Sequence, residues 1–439
     1  MRIGLFTDSY LPQVSGVATS IETLSNQLTQ MGHQVFIFTT TDPHADPADD
    51  QVNVIRLSSI PLISLAERRI VLKGVVAAYQ VAQTYHLDII HTQTEFGVGM
   101  LGKLVARQLK IPVIHTLHTK YEDYVHYIAK GKILRPGMVK YIIKSYLFGV
   151  DGIIVPSAIV LDIVNGYGVN LEKRVISTGI ELNKFVRPEI TAEDCVDLRA
   201  SLGILPDETM LLSLSRIAEE KNIQSIVKHL ATIRDQVKVK LVIVGSGPYA
   251  DKLQKLVSDL ALDDIVIFTG LVDNSQTAYY YKAADFFISA STSETQGLTY
   301  IEALASGTPV LATDNAYLQS LITEPVFGRL FASDDDIAAT ILAAITETPA
   351  LIKHATIKNF TRFLQKTLPC VFMSSIWIKS SQMINIWPKK GSLFRDGQLE
   401  SFAKHQVKQL KPLPGHQKKS PILRKKQSNT PKFSINMVK

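Results

Sequence analysis

Two carboxylates, Glu294 and Glu302, bracket a glycine turn in the stretch Glu294-Thr-Gln-Gly-Leu-Thr-Tyr-Ile-Glu302. The turn follows an apolar, strand-like run, Phe286–Ser289, and opens a helical pattern, Leu298–Ser306. A helix N-terminus offers free N–H groups and a partial positive charge. Carboxylates beside it can accept hydrogen bonds from sugar hydroxyls. A Glu pair in isolation is more often solvated than functional, so other residues must decide. Ser215-Arg216-Ile-Ala-Glu-Glu-Lys221-Asn222 follows the strand-like run Met210–Leu214. Arg216 can grip phosphate through two nitrogens and Lys221 adds a point charge, enough to offset the charge on a leaving diphosphate. The plainer alternative is a pair of surface charges partnered by Glu219 and Glu220. Val242-Ile-Val-Gly245-Ser-Gly247-Pro-Tyr-Ala250 fits G-x-G-x-x-A, a weak motif by itself. Near the start, Asp8-Ser-Tyr-Leu-Pro-Gln-Val-Ser-Gly16-Val17 joins a strand to a helix, and Gly16 lets a backbone approach a ligand. His118, in His115-Thr-Leu-His118-Thr119, falls at the carboxyl end of another strand.

Short β-branched runs alternating with helical periods must position these residues. Arg2–Phe6, Val35–Thr39, Val52–Leu57, Asp88–His91, Val113–Leu117, Gly152–Val155 and Val175–Ser177 read as strands covered on both faces. Val17–Met31, Leu65–Tyr85, Gly97–Gln108 and Pro136–Phe148 read as helices. The alternation then restarts. Strands are expected at Met210–Leu214, Val239–Val244, Ile265–Phe268, Phe286–Ser289 and Val310–Ala312, with helices at Ile223–Arg234, Pro248–Leu260, Thr277–Lys282 and Leu298–Ser306. Ile180–Asp207, rich in acids and carrying Pro188 and Pro206, reads as the linker. The expectation is an α/β protein of two Rossmann-like, doubly wound domains facing a cleft, 1–184 and 185–352, followed by an atypical, mostly disordered basic tail, 353–439.

Length and composition agree with this. The 439 residues exceed one ordinary core, and 46% hydrophobic with 20% charged residues excludes a mostly disordered or collagen-like chain. Cys195 and Cys370 are too few for a disulfide framework. No apolar run approaches the roughly 18 residues that span a bilayer. The net charge of +7 is uneven: from Lys353 onward, eighteen Lys and Arg face only Asp396 and Glu400, so the preceding residues are acidic. Asp334-Asp-Asp336 satisfies a D-x-D pattern but lies beyond the motif strands and reads as a solvated loop.

Taken together, the Glu294/Glu302 pair, Ser215–Lys221, the Gly16 loop and His118 resemble the retaining glycosyltransferases of family 4, with the GT-B fold. The resemblance covers roughly Met1 to Pro349. Within that family, Asp8–Val17 and His115–Tyr124, with His126-Tyr127 behind, look like bacterial 1,2-diacylglycerol 3-alpha-glucosyltransferases. The resemblance implies Arg216 and Lys221 on the diphosphate, Gly16 touching it from the first domain, and Glu302 on the ribose. It implies Glu294 with the backbone at Gly297 and Leu298 on the sugar, Ile267–Gly270 near the base, and His118 near the reacting carbon. Tyr121, Tyr124 and His126 fall on the acceptor side. A nucleotide-sugar donor, a lipid acceptor and an anionic membrane surface are the implied partners. No cofactor and no metal are expected, and the implied location is cytoplasmic, peripheral on the inner face of the cell membrane. The resemblance leaves open a glycan or another lipid as acceptor. The stretch after Thr367 departs from the family, which continues there with a helix that crosses back to the first domain.

Other readings remain at this point. A dinucleotide-dependent oxidoreductase would use Gly245 and Gly247, but needs an acid at the end of the next strand, where Phe268-Thr269-Gly270 stands. A nucleic-acid or membrane-binding protein would use the tail. Only non-specific, salt-sensitive nucleic-acid binding is expected of that tail. The bases and apolar residues from Lys130 to Phe148 fit either a helix lying on an anionic leaflet, aided by Arg68, Arg69 and Lys73, or one packed on the sheet.

Overall fold

The computed structural model describes residues 1–13, 15–45, 53–62, 65–71, 74–121 and 136–347. The tail, Tyr124 and His126 lie outside them. Two parallel sheets carry the described chain. The first comprises β1 (Arg2–Phe6), β2 (Gln34–Thr40), β3 (Val54–Leu57), β6 (Ile89–Thr92), β7 (Val113–Thr116), β8 (Gly152–Val155) and β9 (Glu172–Val175), in the order β3-β2-β1-β6-β7-β8-β9. A separate antiparallel hairpin pairs β4 (Ser59–Leu62) with β5 (Leu65–Val71). The second sheet comprises β10 (Thr209–Leu214), β11 (Val239–Val244), β12 (Val266–Gly270), β13 (Phe286–Ser289), β14 (Val310–Thr313) and β15 (Gly328–Phe331), in the order β12-β11-β10-β13-β14-β15.

Helices cover both faces of each sheet, which is why the inner strands are buried along nearly their whole length and read as continuous apolar runs. On the first sheet, α1 (Gly16–Gln30) packs Ile21 and Leu28 on Ile3, Leu5 and Val35. The other face takes α2 (Val75–Thr84) and α3 (Val98–Leu109) against Phe6, Phe36 and Phe38, and α4 (Pro136–Leu147) with α5 (Ala158–Gly166) against Ile153 and Val155. On the second sheet, α8 (Ile223–Ile233), α9 (Ala250–Asp259) and α13 (Ile337–Glu347) form one layer. The opposite layer has α6 (Asn183–Val186), α7 (Ala192–Ser201), α10 (Thr277–Ala283), α11 (Leu298–Ala305) and α12 (Ala316–Leu321).

Both strand orders reverse direction once near the middle. From β1 the chain goes to β2 on one side and later returns to β6 on the other; β10 stands in the same relation to β11 and β13. Ligand crevices in such sheets open at the carboxyl ends of these strands. That singles out the loops after β1, β6, β10 and β13.

Four sequence expectations change. Leu65–Tyr85 is not one helix. Its first third forms β5, paired through Ile60–Ile70, and Arg69 donates to the Ser59 hydroxyl (3.0 Å) and carbonyl (2.9 Å). The helix starts only after Gly74, where a Cβ would fall 2.4 Å from Val71 Cγ1. The strand expected at Val175–Ser177 begins earlier, at Glu172, because its register is set by Gly152–Val155 of β8. The expected linker Ile180–Asp207 contains α6 and α7. Its acids close a capping box, Thr191 with Asp194, and Ile180, Phe185 and Ile204 are buried in the second core. Asp334–Asp336 is exposed, as expected of a solvated segment, but it is a 3₁₀ turn rather than a loop, and Asp334 accepts from Asn222 Nδ2 (3.0 Å) and Ser225 Oγ (2.7 Å), so it holds the start of α8.

Candidate functional site

The loop after β10 presents Arg216 and Lys221, and the loop after β13 presents Glu294. Arg216 pairs with Glu220 one helical turn on (2.7 Å), and that carboxylate is almost fully buried. Lys221 reaches across to Glu294, with Nζ 2.5 Å from Oε1. Glu220, one of the partners in the plainer reading, thus stands beside Arg216, while Lys221 joins the two loops. Gly245 and Gly247 have a local explanation. A Cβ on Gly245 would stand 2.0 Å from Ser215 O, and one on Gly247 would stand 2.3 Å from Ile217 O. Ile217 N donates to Ser246 O (2.9 Å) and Tyr249 N to Ile217 O (3.1 Å). The glycines therefore let the turn after β11 lie directly on the Arg216 loop.

Gly297 caps α11 from the left-handed region (φ 72°). A Cβ there would stand 2.3 Å from the ring of Tyr300, so both conformation and space require glycine. Leu298 begins the helix. Glu302, one turn in, accepts from the phenol of Tyr281 (2.9 Å). Burial lifts its carboxyl from 4.5 to about 7, and the Tyr281 hydrogen bond opposes part of that rise.

From the first sheet, Ser15 caps α1 by accepting from Ala18 N (3.1 Å), which leaves Gly16 as the first helical residue. Among the described residues, its chain neighbours and its own helix backbone aside, nothing lies within 4 Å of where its Cβ would be. A ligand can therefore approach this helix end as closely as the backbone allows. His118 Nε2 donates to Gln93 Oε1 (2.7 Å), which leaves the lone pair on Nδ1. Burial first, then the neighbouring His115, lowers its pKa to about 3, so the imidazole is neutral.

Sequence reasoning missed the residues around Glu95. This carboxylate is 3% exposed; it accepts from the Tyr121 phenol and lies 3.2 Å from His115 Nε2. Tyr121 also sets its ring edge-on to Phe96 (5.7 Å between centroids). Asp8, read earlier only as the start of a loop, accepts from Thr94 Oγ1 (2.7 Å) and Val98 N (2.8 Å), capping α3 from another strand. Strand order was the missing signal: β6 is a central strand, and Gln93 and Glu95 directly follow it.

The two halves meet at Thr295 and Gln296. Thr295 Oγ1 donates to His118 O (3.0 Å), and Thr295 O accepts from Ser157 Oγ (2.5 Å). Gln296 Oε1 accepts from Thr178 N (2.7 Å) while its Nε2 donates to Thr178 O (2.9 Å). Among the described residues no cluster of three or more His, Cys, Asp or Glu could hold a metal ion. Nor is any described helix long and apolar enough to cross a membrane.

Two doubly wound sheets, with cations, carboxylates and a helix N-terminus collected where their strand orders reverse, have the GT-B architecture. Residues 14–184 match the family described as Glycosyltransferase Family 4, and residues 196–361 match Glycosyl transferases group 1. The chain is 56% identical over 355 residues to the alpha-monoglucosyldiacylglycerol synthase of Streptococcus pneumoniae, spanning 81% of this chain and 80% of that one. It is 33% identical over 360 residues to the protein of the same name from Acholeplasma laidlawii, spanning 80% and 90%. Among solved structures, Anabaena HepE in complex with UDP-glucose superposes with a TM-score of 0.66 at 18% identity, covering 87% of this chain and all of that one. Sucrose-phosphate synthase from Thermosynechococcus elongatus gives 0.68 at 24% identity, covering 87% and 99%. These two likenesses concern the fold alone. The chain belongs to glycosyltransferase family 4.

Proposed function

We propose that this enzyme transfers glucose from UDP-glucose to the free hydroxyl of diacylglycerol, with retention at the anomeric carbon. The 56% identity to a monoglucosyldiacylglycerol synthase, extending across both sheets, carries the assignment of donor and acceptor. In this reading Arg216 and Lys221 hold the diphosphate, Gly16 and the α1 N-terminus approach it from the first sheet, and Glu302 binds the ribose. Glu294 and the backbone of Gly297 and Leu298 hold the glucose. His118, neutral, stands beside the reacting carbon, and Tyr121, Tyr124 and His126 are assigned to acceptor binding.

The bond from the anomeric carbon to the diphosphate oxygen breaks with its electron pair going to UDP, and an oxocarbenium-like sugar develops. The acceptor hydroxyl attacks from the face the diphosphate leaves, and its proton passes to a diphosphate oxygen. The products are glucosyldiacylglycerol and UDP. Arg216 and Lys221 supply the charge that stabilises the leaving group, so the reaction is expected to need no metal. Lys221 exchanges one anionic partner, Glu294, for another when it takes the diphosphate, which frees Glu294 for the sugar.

Two surface helices support peripheral membrane binding. On α4, Val139, Ile143 and Leu147 are buried, while Met138, Tyr141 and the adjoining Phe148 are exposed beside Lys140 and Lys144. On α3 and just before it, Phe96, Met100 and Leu104 form a second exposed apolar stripe. Lys103 ties the helices together by donating to the carbonyls of Tyr146 and Phe148. Apolar side chains flanked by lysines suit an anionic leaflet.

The test is a panel of UDP- and GDP-sugars offered with diacylglycerol in anionic vesicles, with the product anomer read by NMR. UDP-glucose giving an α-glucosyl lipid is the expected result. A β-linked product, or transfer only to a water-soluble glycan, would reject the reading.

A further inference from the structure

The loop that carries Glu294 has a second job. Its next two residues make four hydrogen bonds to the first half of the molecule, and their three targets are separate. His118 follows β7, Ser157 follows β8 and Thr178 follows β9. These strands are neighbours in the sheet, so the loop grips three adjacent carboxyl ends at once. Gln296 is 3% exposed, and its amide satisfies both the N–H and the C=O of one residue, as a neighbouring β-strand would. His118 is thereby held from two sides. Gln93 fixes its imidazole from within its own half, and Thr295 fixes its carbonyl from the other half.

We infer that Thr295 and Gln296 form a clasp that sets the distance between the donor sugar and His118 and keeps water out of the seam. The inference rests on the proposed reading that Glu294 holds the sugar and His118 flanks the reacting carbon. Neither clasp residue touches substrate; both are positioning residues. Glu294 is joined by one peptide bond to the residue that holds His118, so a sugar seated on Glu294 is placed relative to the first half through this loop. If the seam loosens, the activated donor meets water before the acceptor arrives. A misplacement of about 1 Å is enough to cost about a hundredfold in rate.

The variants are Thr295→Val, which keeps shape and removes the donor to His118 O, and Gln296→Ala, which removes the strand mimic. Thr295→Ser restores the hydroxyl. Three readouts are needed in the full-length protein: glucosyl transfer to diacylglycerol vesicles, UDP release without transfer, and UDP affinity by calorimetry. Transfer should fall about ten- to a hundredfold in both variants, and hydrolysis should rise at least about fivefold as a share of UDP released. UDP affinity should stay within about twofold, and Thr295→Ser should recover most of the transfer. An unchanged hydrolysis share with unchanged transfer would overturn the clasp. So would a loss of UDP affinity in step with transfer, which would make the loop part of the donor pocket only. Small-angle scattering of the ligand-free proteins tests the seam independently of any substrate. Expansion of Gln296→Ala relative to the parent supports the clasp, and identical curves count against it. A parent enzyme that transfers no glucose would instead refute the proposed function, and the scattering result would still judge the clasp.

Discussion

Glu302 should make the enzyme less stable as the pH rises, and its replacement should reveal this as a gain. Its carboxyl, on α11, is raised from 4.5 to about 7 by burial, against the opposing hydrogen bond from Tyr281. The sign follows from which state releases the proton first. Between those two pH values the unfolded chain has already lost a proton that the folded protein retains, so stability falls with rising pH and levels off above about 7. Relative to acid pH, where both states hold the proton, this lowers stability by about 1 kcal/mol at pH 5 and about 3 kcal/mol at pH 8. Glu302→Gln keeps an oxygen for the Tyr281 phenol and cannot ionise. Its stability relative to the parent should therefore increase by about 2 kcal/mol between pH 5 and pH 8, read from urea unfolding at both values. Donor affinity should change the opposite way. The parent's affinity for UDP should rise about tenfold more than the variant's from pH 6 to pH 8, because an ionised carboxylate accepts ribose hydroxyls that an amide accepts poorly. Taking the difference between the two proteins removes the titration of UDP itself. A stability difference that does not vary with pH would refute the claim that burial holds the proton on Glu302.

Arg216→Ala and Lys221→Ala should each lower turnover about 10²–10³-fold while changing the acceptor KM far less, in steady-state assays; activity should persist in EDTA. Gly297→Ala should destabilise the second half measurably in thermal unfolding, since it places a methyl 2.3 Å from the Tyr300 ring at φ 72°. Valine at Gly16 should leave the melting temperature nearly unchanged but weaken use of the donor about tenfold or more, because the space it fills is open. Replacing Tyr141 and Phe148 together with Ser should reduce sedimentation with anionic vesicles several-fold without affecting UDP binding, as both side chains are 71% exposed.

The doubly wound architecture was legible because parallel strands covered on both faces leave unbroken apolar runs, as in Val239–Val244 and Gly152–Val155. Leu65–Val71 misled because its seven residues carry no strict alternation, and its pairing with Ser59–Leu62 depends on a partner strand rather than on its own period. The acids near Thr191 looked like linker solvation, whereas they are the charges and cap expected in the first turn of a helix. Arg216, Lys221, Glu294 and Glu302 stood out by spacing. Glu95, Gln93 and Asp8 did not, since each meets its partners through strand pairings 20 to 90 residues apart. Gln296 sat in plain view between two flagged residues, but only the contact with Thr178 gives it a role.

Lys103 has a mechanical consequence. Its ammonium reaches the last carbonyls of α4 from the middle of α3, over the ring of Tyr146 (4.5 Å), and burial lowers its pKa to about 8. The two helices are thereby joined as a beam, and the end of that beam at Val98 is pinned to Asp8 at the mouth of the first sheet. Twelve residues of α3 give the beam a length of about 18 Å. A surface resting against Met100, Leu104 and Tyr141 would therefore meet two helices that cannot slide past one another, and a push on either would be carried to the Asp8 end.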